Sequence, residues 1–161
     1  MNYERSLKND FLQTQHCLIL SLHCHLMIQK TTCPSCKRVL RNVNAWHYCK
    51  QISIDDLFLN KADNIVLAFD RLLEIVSQWS DVEISATKNC IVFVKNKTFL
   101  VAKPMTKCLE IKFYSNHIID DERLYKCAIW GNKYEGIVSV ENESQLTTFF
   151  FNFFKNSYQI S

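Results

Sequence analysis

The residues best suited to chemistry in this chain form the pattern Cys33-x2-Cys36-x10-His47-x-Cys49. Thiolate and imidazole are soft or borderline donors, and zinc takes four of them in a tetrahedron. A Cys-x2-Cys turn sets two sulfurs on one side of an ion. The His-x-Cys pair, ten residues on, supplies the other side. The loop between them is long enough to fold back and short enough to limit closure entropy. Four protein ligands leave no position for water, so a zinc held this way is structural rather than catalytic. Three thiolates and a neutral imidazole around a divalent ion leave a net negative charge. Lys37, Arg38, Arg41 and Lys50 stand among the ligands with no acid between them and offset that charge. Two other readings of Cys33 and Cys36 stay open. A redox pair wants a preceding strand and a long following helix. A disulfide wants an oxidising compartment.

The remaining reactive residues form weaker patterns. His117 lies in SNHIIDDER beside Asp120, Asp121 and Glu122, and reads as a solvated loop or as a His–carboxylate cluster. Cys17, His23, Cys24 and His25 lie within the first thirty residues. With 2 glycines in the whole chain, neither GxGxxG nor GxxxxGK[ST] is present. No catalytic motif is recognisable, and the balance is against an enzyme.

The elements that must position these residues follow from periodicity. A length of 161 residues, 48% hydrophobic and 22% charged, describes a globular chain rather than a disordered one. Ser53 followed by Asp55 and Asp56 reads as a helix N-cap with acids in the first turn. Asp63 or Asn64 caps a longer helix, with Ile65, Phe69, Leu72, Leu73, Val76 and Trp79 along one stripe. From Val82 the period changes to two. Strands are expected over 82–87, 90–95, 98–103, 107–114, 124–130 and 136–140. Short polar turns join most of them, so neighbours run antiparallel as a meander. Glu143 or Ser144 opens a terminal helix carrying Leu146, Phe149, Phe150, Phe153 and Phe154. The expected class is α+β: a small zinc knot, a helix, an antiparallel meander of five to six strands, and a C-terminal helix. Both helices should cover one sheet face. The expected divisions are a leader over 1–30, the knot over 31–52 and the α+β domain over 53–161. Met27 offers an alternative start.

Cys90, Cys108 and Cys127 fall in apolar, strand-like runs, where a thiol behaves as a small hydrophobe. No secretory signal is evident, and the apolar stretch from Cys17 to Ile28 is too interrupted to span a membrane. A reducing, cytoplasmic location without membrane attachment is expected. The net charge is +3, and the lysines at 88, 95, 97, 103, 107 and 112 populate the sheet region. Two functions from different classes are consistent with this. A zinc-containing binding module would engage nucleic acid or an acidic protein through Lys37, Arg38, Arg41, Lys88, Lys97 and Lys103. A small-ligand protein or enzyme would use the open sheet face, with Trp130, Phe93, Phe99 and lysines lining a concave site.

CPSCKRVLRNVNAWHYCKQISIDDLF resembles a zinc-binding leader found ahead of a small α+β domain, the family catalogued as domain of unknown function 5655. The similarity continues through AFDRLLEIV and VEISATKNCIVFVKNKTFLVAKPMTKCLEIKF to SVENESQLTTFFFNFFKNSY. It runs from about Cys33 to Tyr158. The resemblance implies a helix–sheet–helix fold and a zinc-binding leader holding its metal through Cys33, Cys36, His47 and Cys49. It implies no activity.

Overall fold

A computed structural model describes residues 31–40, Ala45, His47 and 49–161. Residues 1–30, with Cys17, His23, Cys24 and His25, lie outside the described residues, as does Arg41. The chain divides into two compact units, Met1–His47 and Tyr48–Ser161. The described part of the first unit is a two-stranded hairpin. β1 (Thr31–Thr32) pairs antiparallel with β2 (Val39–Leu40), Thr31 opposite Leu40 and Thr32 opposite Val39.

The second unit is α+β, with an antiparallel sheet as the sequence predicts. Helices α1 (Ile54–Phe58) and α2 (Asp63–Val76) precede strands β3 (Glu83–Ala86), β4 (Ile91–Val94), β5 (Thr98–Pro104), β6 (Leu109–Ser115), β7 (Lys126–Trp130) and β8 (Lys133–Val140). A 3₁₀ turn (Glu143–Gln145) and helix α3 (Thr148–Gln159) close the chain. The strand order is β3-β4-β5-β6-β8-β7. Strands joined by short turns are neighbours. The one long connection, residues 116–125, is the one that skips a strand and leaves room for β8 beside β6. Ser53 caps α1 through a full capping box with Asp56. α2 has Ala62 at its N-cap and no side-chain cap, with Asp63 inside the first turn. The terminal helix starts later than Glu143 because Leu146 turns into the core, 5% exposed, before α3 begins.

Alternation sorts the sheet into two faces. Cross-strand partners Phe93 and Leu100, Ala102 and Ile111, Leu109 and Val140 point to one side and are all buried. The stripes of α2 and α3 pack onto that side, with Ile65, Phe69, Leu72 and Val76 from one helix and Phe151, Phe154 and Tyr158 from the other. A run of rings crosses this core, from Phe58 to Phe69 (4.8 Å), Phe93 (6.5 Å), Phe99 (6.4 Å) and Tyr158 (5.5 Å). Gly136 is required by this packing. A Cβ there would lie 2.5 Å from the tip of the Phe113 ring, which is stacked on Phe153.

A buried polar group joins helix to sheet. The β5–β6 ladder begins at Leu100 opposite Phe113, so Phe99 and Tyr114 would form the next rung. There the Ser157 hydroxyl of α3 is inserted. It accepts from the Tyr114 amide at 2.9 Å and donates to the Phe99 carbonyl at 2.6 Å, while Ser157 is 1% exposed. Ser157→Ala strips both backbone groups of their partner. It should cost about 1–3 kcal/mol, read from urea unfolding with an unchanged m-value.

Candidate metal centre

The hairpin positions the first two ligands. The Cys33 amide donates to the Arg38 carbonyl and the Lys37 amide donates back to the Cys33 carbonyl, both at 2.9 Å. These bonds close a tight loop around Pro34, Ser35 and Cys36. Lys37 takes a left-handed backbone, φ 62°, which turns the chain so that both sulfurs stay on one side. Cys33 is buried, Cys36 and His47 half-buried, and Cys49 exposed.

One ligand atom from each of Cys33, Cys36, His47 and Cys49 lies within 4.8 Å of every other. Tetrahedral bonds of about 2.3 Å to sulfur put sulfurs about 3.8 Å apart, so the group is the right size for one ion. The histidine is oriented as a metal ligand would be. Its Nδ1 donates to the Ala45 carbonyl at 3.1 Å, which leaves the lone pair on Nε2. Nε2 is buried and has no hydrogen-bond partner. A nitrogen lone pair shut away from water is a cost, and a bound cation removes it. The four residues therefore fit a metal ion, and the Cys3His donor set suits zinc. Among the described residues no other group of this kind is found. Cys36, Cys90, Cys108 and Cys127 are not bridged.

His117 does not join a carboxylate cluster. It is exposed, and Asp121 is engaged by Arg123 instead, at 2.8 and 2.7 Å. That hydrogen bonding holds the Asp121 carboxyl down at about 2. The same guanidinium lies 3.4 Å above the Phe149 ring, tying the 115–123 loop to α3.

The sheet lysines are not brought together. Lys88 is on the β3–β4 turn and Lys97 on the β4–β5 turn, at opposite ends of the strands. Lys103 is half-buried on β5, directly opposite Glu110. Phe93 and Phe99 are fully buried in the helix-covered core, so they do not line an open site with Trp130. Trp130 is 65% exposed. On the uncovered face the residue that sequence reading passed over is Glu135. It pairs with Lys112 at 2.9 Å, while its second oxygen is buried without a partner. Burial raises the neighbouring Tyr114 phenol above its ordinary value, with Lys112 opposing and Glu135 adding. A strand started at Lys133 rather than Gly136 would have put Glu135 in phase with Lys112.

The left-handed residue at 37 gives a test of the loop. Lys37→Gly and Lys37→Val remove the same charge. The glycine variant should melt no lower than wild type when metal-loaded. The valine variant should lose about 1–2 kcal/mol, because a β-branched side chain is strained at positive φ.

Among the described residues no helix is long and apolar enough to cross a membrane. No curated protein and no solved structure matches the chain significantly. A family model does match, described as a domain of unknown function (DUF5655), over residues 54–161. The four candidate ligands precede that span. The match covers α1 to the end of α3, the whole helix–sheet–helix unit, and the chain belongs to the DUF5655 family.

Proposed function

We propose that Cys33, Cys36, His47 and Cys49 hold a structural zinc, and that the chain is a zinc-containing binding module for an anionic partner, nucleic acid or an acidic protein. The observation that carries the zinc is the buried, unpartnered Nε2 of His47, oriented through Nδ1, among three cysteine ligands. The set is closed, so the ion's work is to fix the loop rather than to activate water. The scatter of the sheet lysines leaves the basic residues of the zinc segment, residues 31–52, as the contact. Lys37 and Lys50 are exposed there. A reducing, cytoplasmic setting suits thiolate ligands. The division into leader, knot and α+β domain at 30 and 52 goes with this reading.

Two measurements test it. Native mass spectrometry should find one zinc per chain, lost in Cys36→Ser together with a lower melting temperature. Metal-free protein after reduction and zinc supplementation would reject the site. For the partner, the affinity for an oligonucleotide should fall steeply with salt. Lys37→Glu should weaken it and reduce the log–log slope by about one. A salt-insensitive affinity would favour the second reading, a small ligand on the open sheet face. That reading rests on the buried unpartnered oxygen of Glu135 beside exposed Trp130.

A further inference from the structure

Among the described residues β7 ends the sheet and is paired on one side only, to β8. Edge strands in monomers are normally short, charged, bulged outward or covered. β7 has one charge, Lys126, and no proline. Of the seven exposed large hydrophobic side chains among the described residues, three belong to this strand and its lead-in. Tyr125 is 74% exposed, Ile129 75% and Trp130 65%.

We propose that β7 pairs antiparallel with β7 of a second copy of this chain, about a two-fold axis through Ala128, continuing the sheet across both. The two-residue turn Gly131-Asn132 fixes which backbone groups are available. Gly131 has φ 63°, as the first residue of a type II′ hairpin turn does. The residues flanking such a turn, Trp130 and Lys133, exchange backbone hydrogen bonds, and alternation extends this to Ala128 with Glu135 and Lys126 with Ile137. The amides and carbonyls of Cys127 and Ile129 then point away from β8, to the free edge. Two-fold pairing at Ala128 sets Cys127 opposite Ile129 of the second copy, and the reverse. These are the residues with outward groups, so four backbone hydrogen bonds form without a change of register.

The side chains agree with the backbone. On one face the Cys127–Ile129 pairs cover Ile129, the most exposed apolar side chain of the strand. On the other face Lys126 meets Trp130 of the second copy, a cation against an aromatic ring. No like charges are opposed, because Ala128 meets itself. A generic extended peptide would satisfy the hydrogen bonds but not supply this matched Lys–Trp exchange. Edge pairing over five residues buries less than the roughly 1,200 Å² of a standard interface. The dimer is therefore concentration-dependent.

Sedimentation equilibrium of the full, zinc-supplemented chain over a wide concentration range should show monomer and dimer. Ile129→Lys, at a position already exposed, should weaken the association about tenfold or more, with an unchanged near-UV spectrum. Ala128→Cys on a Cys127→Ser background should cross-link to itself under mild oxidation. Opposed residues at a non-hydrogen-bonded position come within disulfide range, and fragmentation by mass spectrometry locates the bridge. Dimer lost in Ile129→Lys, with a 128–128 bridge, supports the proposal. Monomer throughout overturns it, and so does a dimer indifferent to Ile129→Lys. Monomer that instead captures an extended peptide along β7 overturns it in favour of strand addition by another protein.

Discussion

Three sulfurs and an imidazole nitrogen within 4.8 Å of one another make a group that a bound cation would render favourable. Thiolates at that spacing repel. A neutral arrangement leaves the His47 Nε2 buried without a partner. The described secondary structure of the surrounding segment is slight, two strands of two residues with Leu40 buried. Its local features place the four candidate donors. The reciprocal bonds between Cys33 and residues 37 and 38, the left-handed Lys37 and the Nδ1 anchor on Ala45 each fix one donor in direction. Were a metal bound there, its binding free energy would also be folding free energy for the segment.

The helix–sheet–helix unit depends on a different constraint, the fit of rings against a sheet. Phe113 occupies the volume that a Cβ at Gly136 would take, and its ring meets both Phe153 and Phe154. The Ser157 hydroxyl then completes the ladder where β5 and β6 part. Shape and the buried Ser157 hydroxyl thus both help to hold α3 in register on the sheet. A purely apolar helix face would fix that register less uniquely, because apolar packing tolerates small shifts that a hydrogen-bonded hydroxyl does not.

Much of this is legible in the sequence, and the limits are physical. The ligand residues are readable because a metal demands both residue type and spacing, and those survive in one dimension. The Ser53 cap and the strand alternation of Leu109, Ile111 and Phe113 are readable for the same reason, being local. What escapes is non-local. Strand order depends on which connection is long enough to skip a neighbour, and only the folded sheet shows that β8 lies between β6 and β7. Phe93 and Phe99 carry no mark of which face they occupy, and both went to the helices rather than to an open site. Glu135 was hidden by a strand boundary placed three residues late. The helix start at Thr148 was hidden by the inward turn of Leu146.

The scarcity of glycine gives the chain a further trait. Positive φ falls on Lys37, Asn60 and Asp81 as well as on Gly131. Asn60 and Asp81 follow helices α1 and α2, where a left-handed residue turns the chain away, and their short polar side chains tolerate that conformation. Lys37 has no such excuse. A long, unbranched cation in a left-handed position is strained by roughly 1 kcal/mol, yet it keeps a positive charge one residue from Cys36, a candidate metal ligand. Among the described residues, the strained long side chain stands where its charge would offset that of the candidate metal site, while Asn60 and Asp81 are residues that the conformation suits.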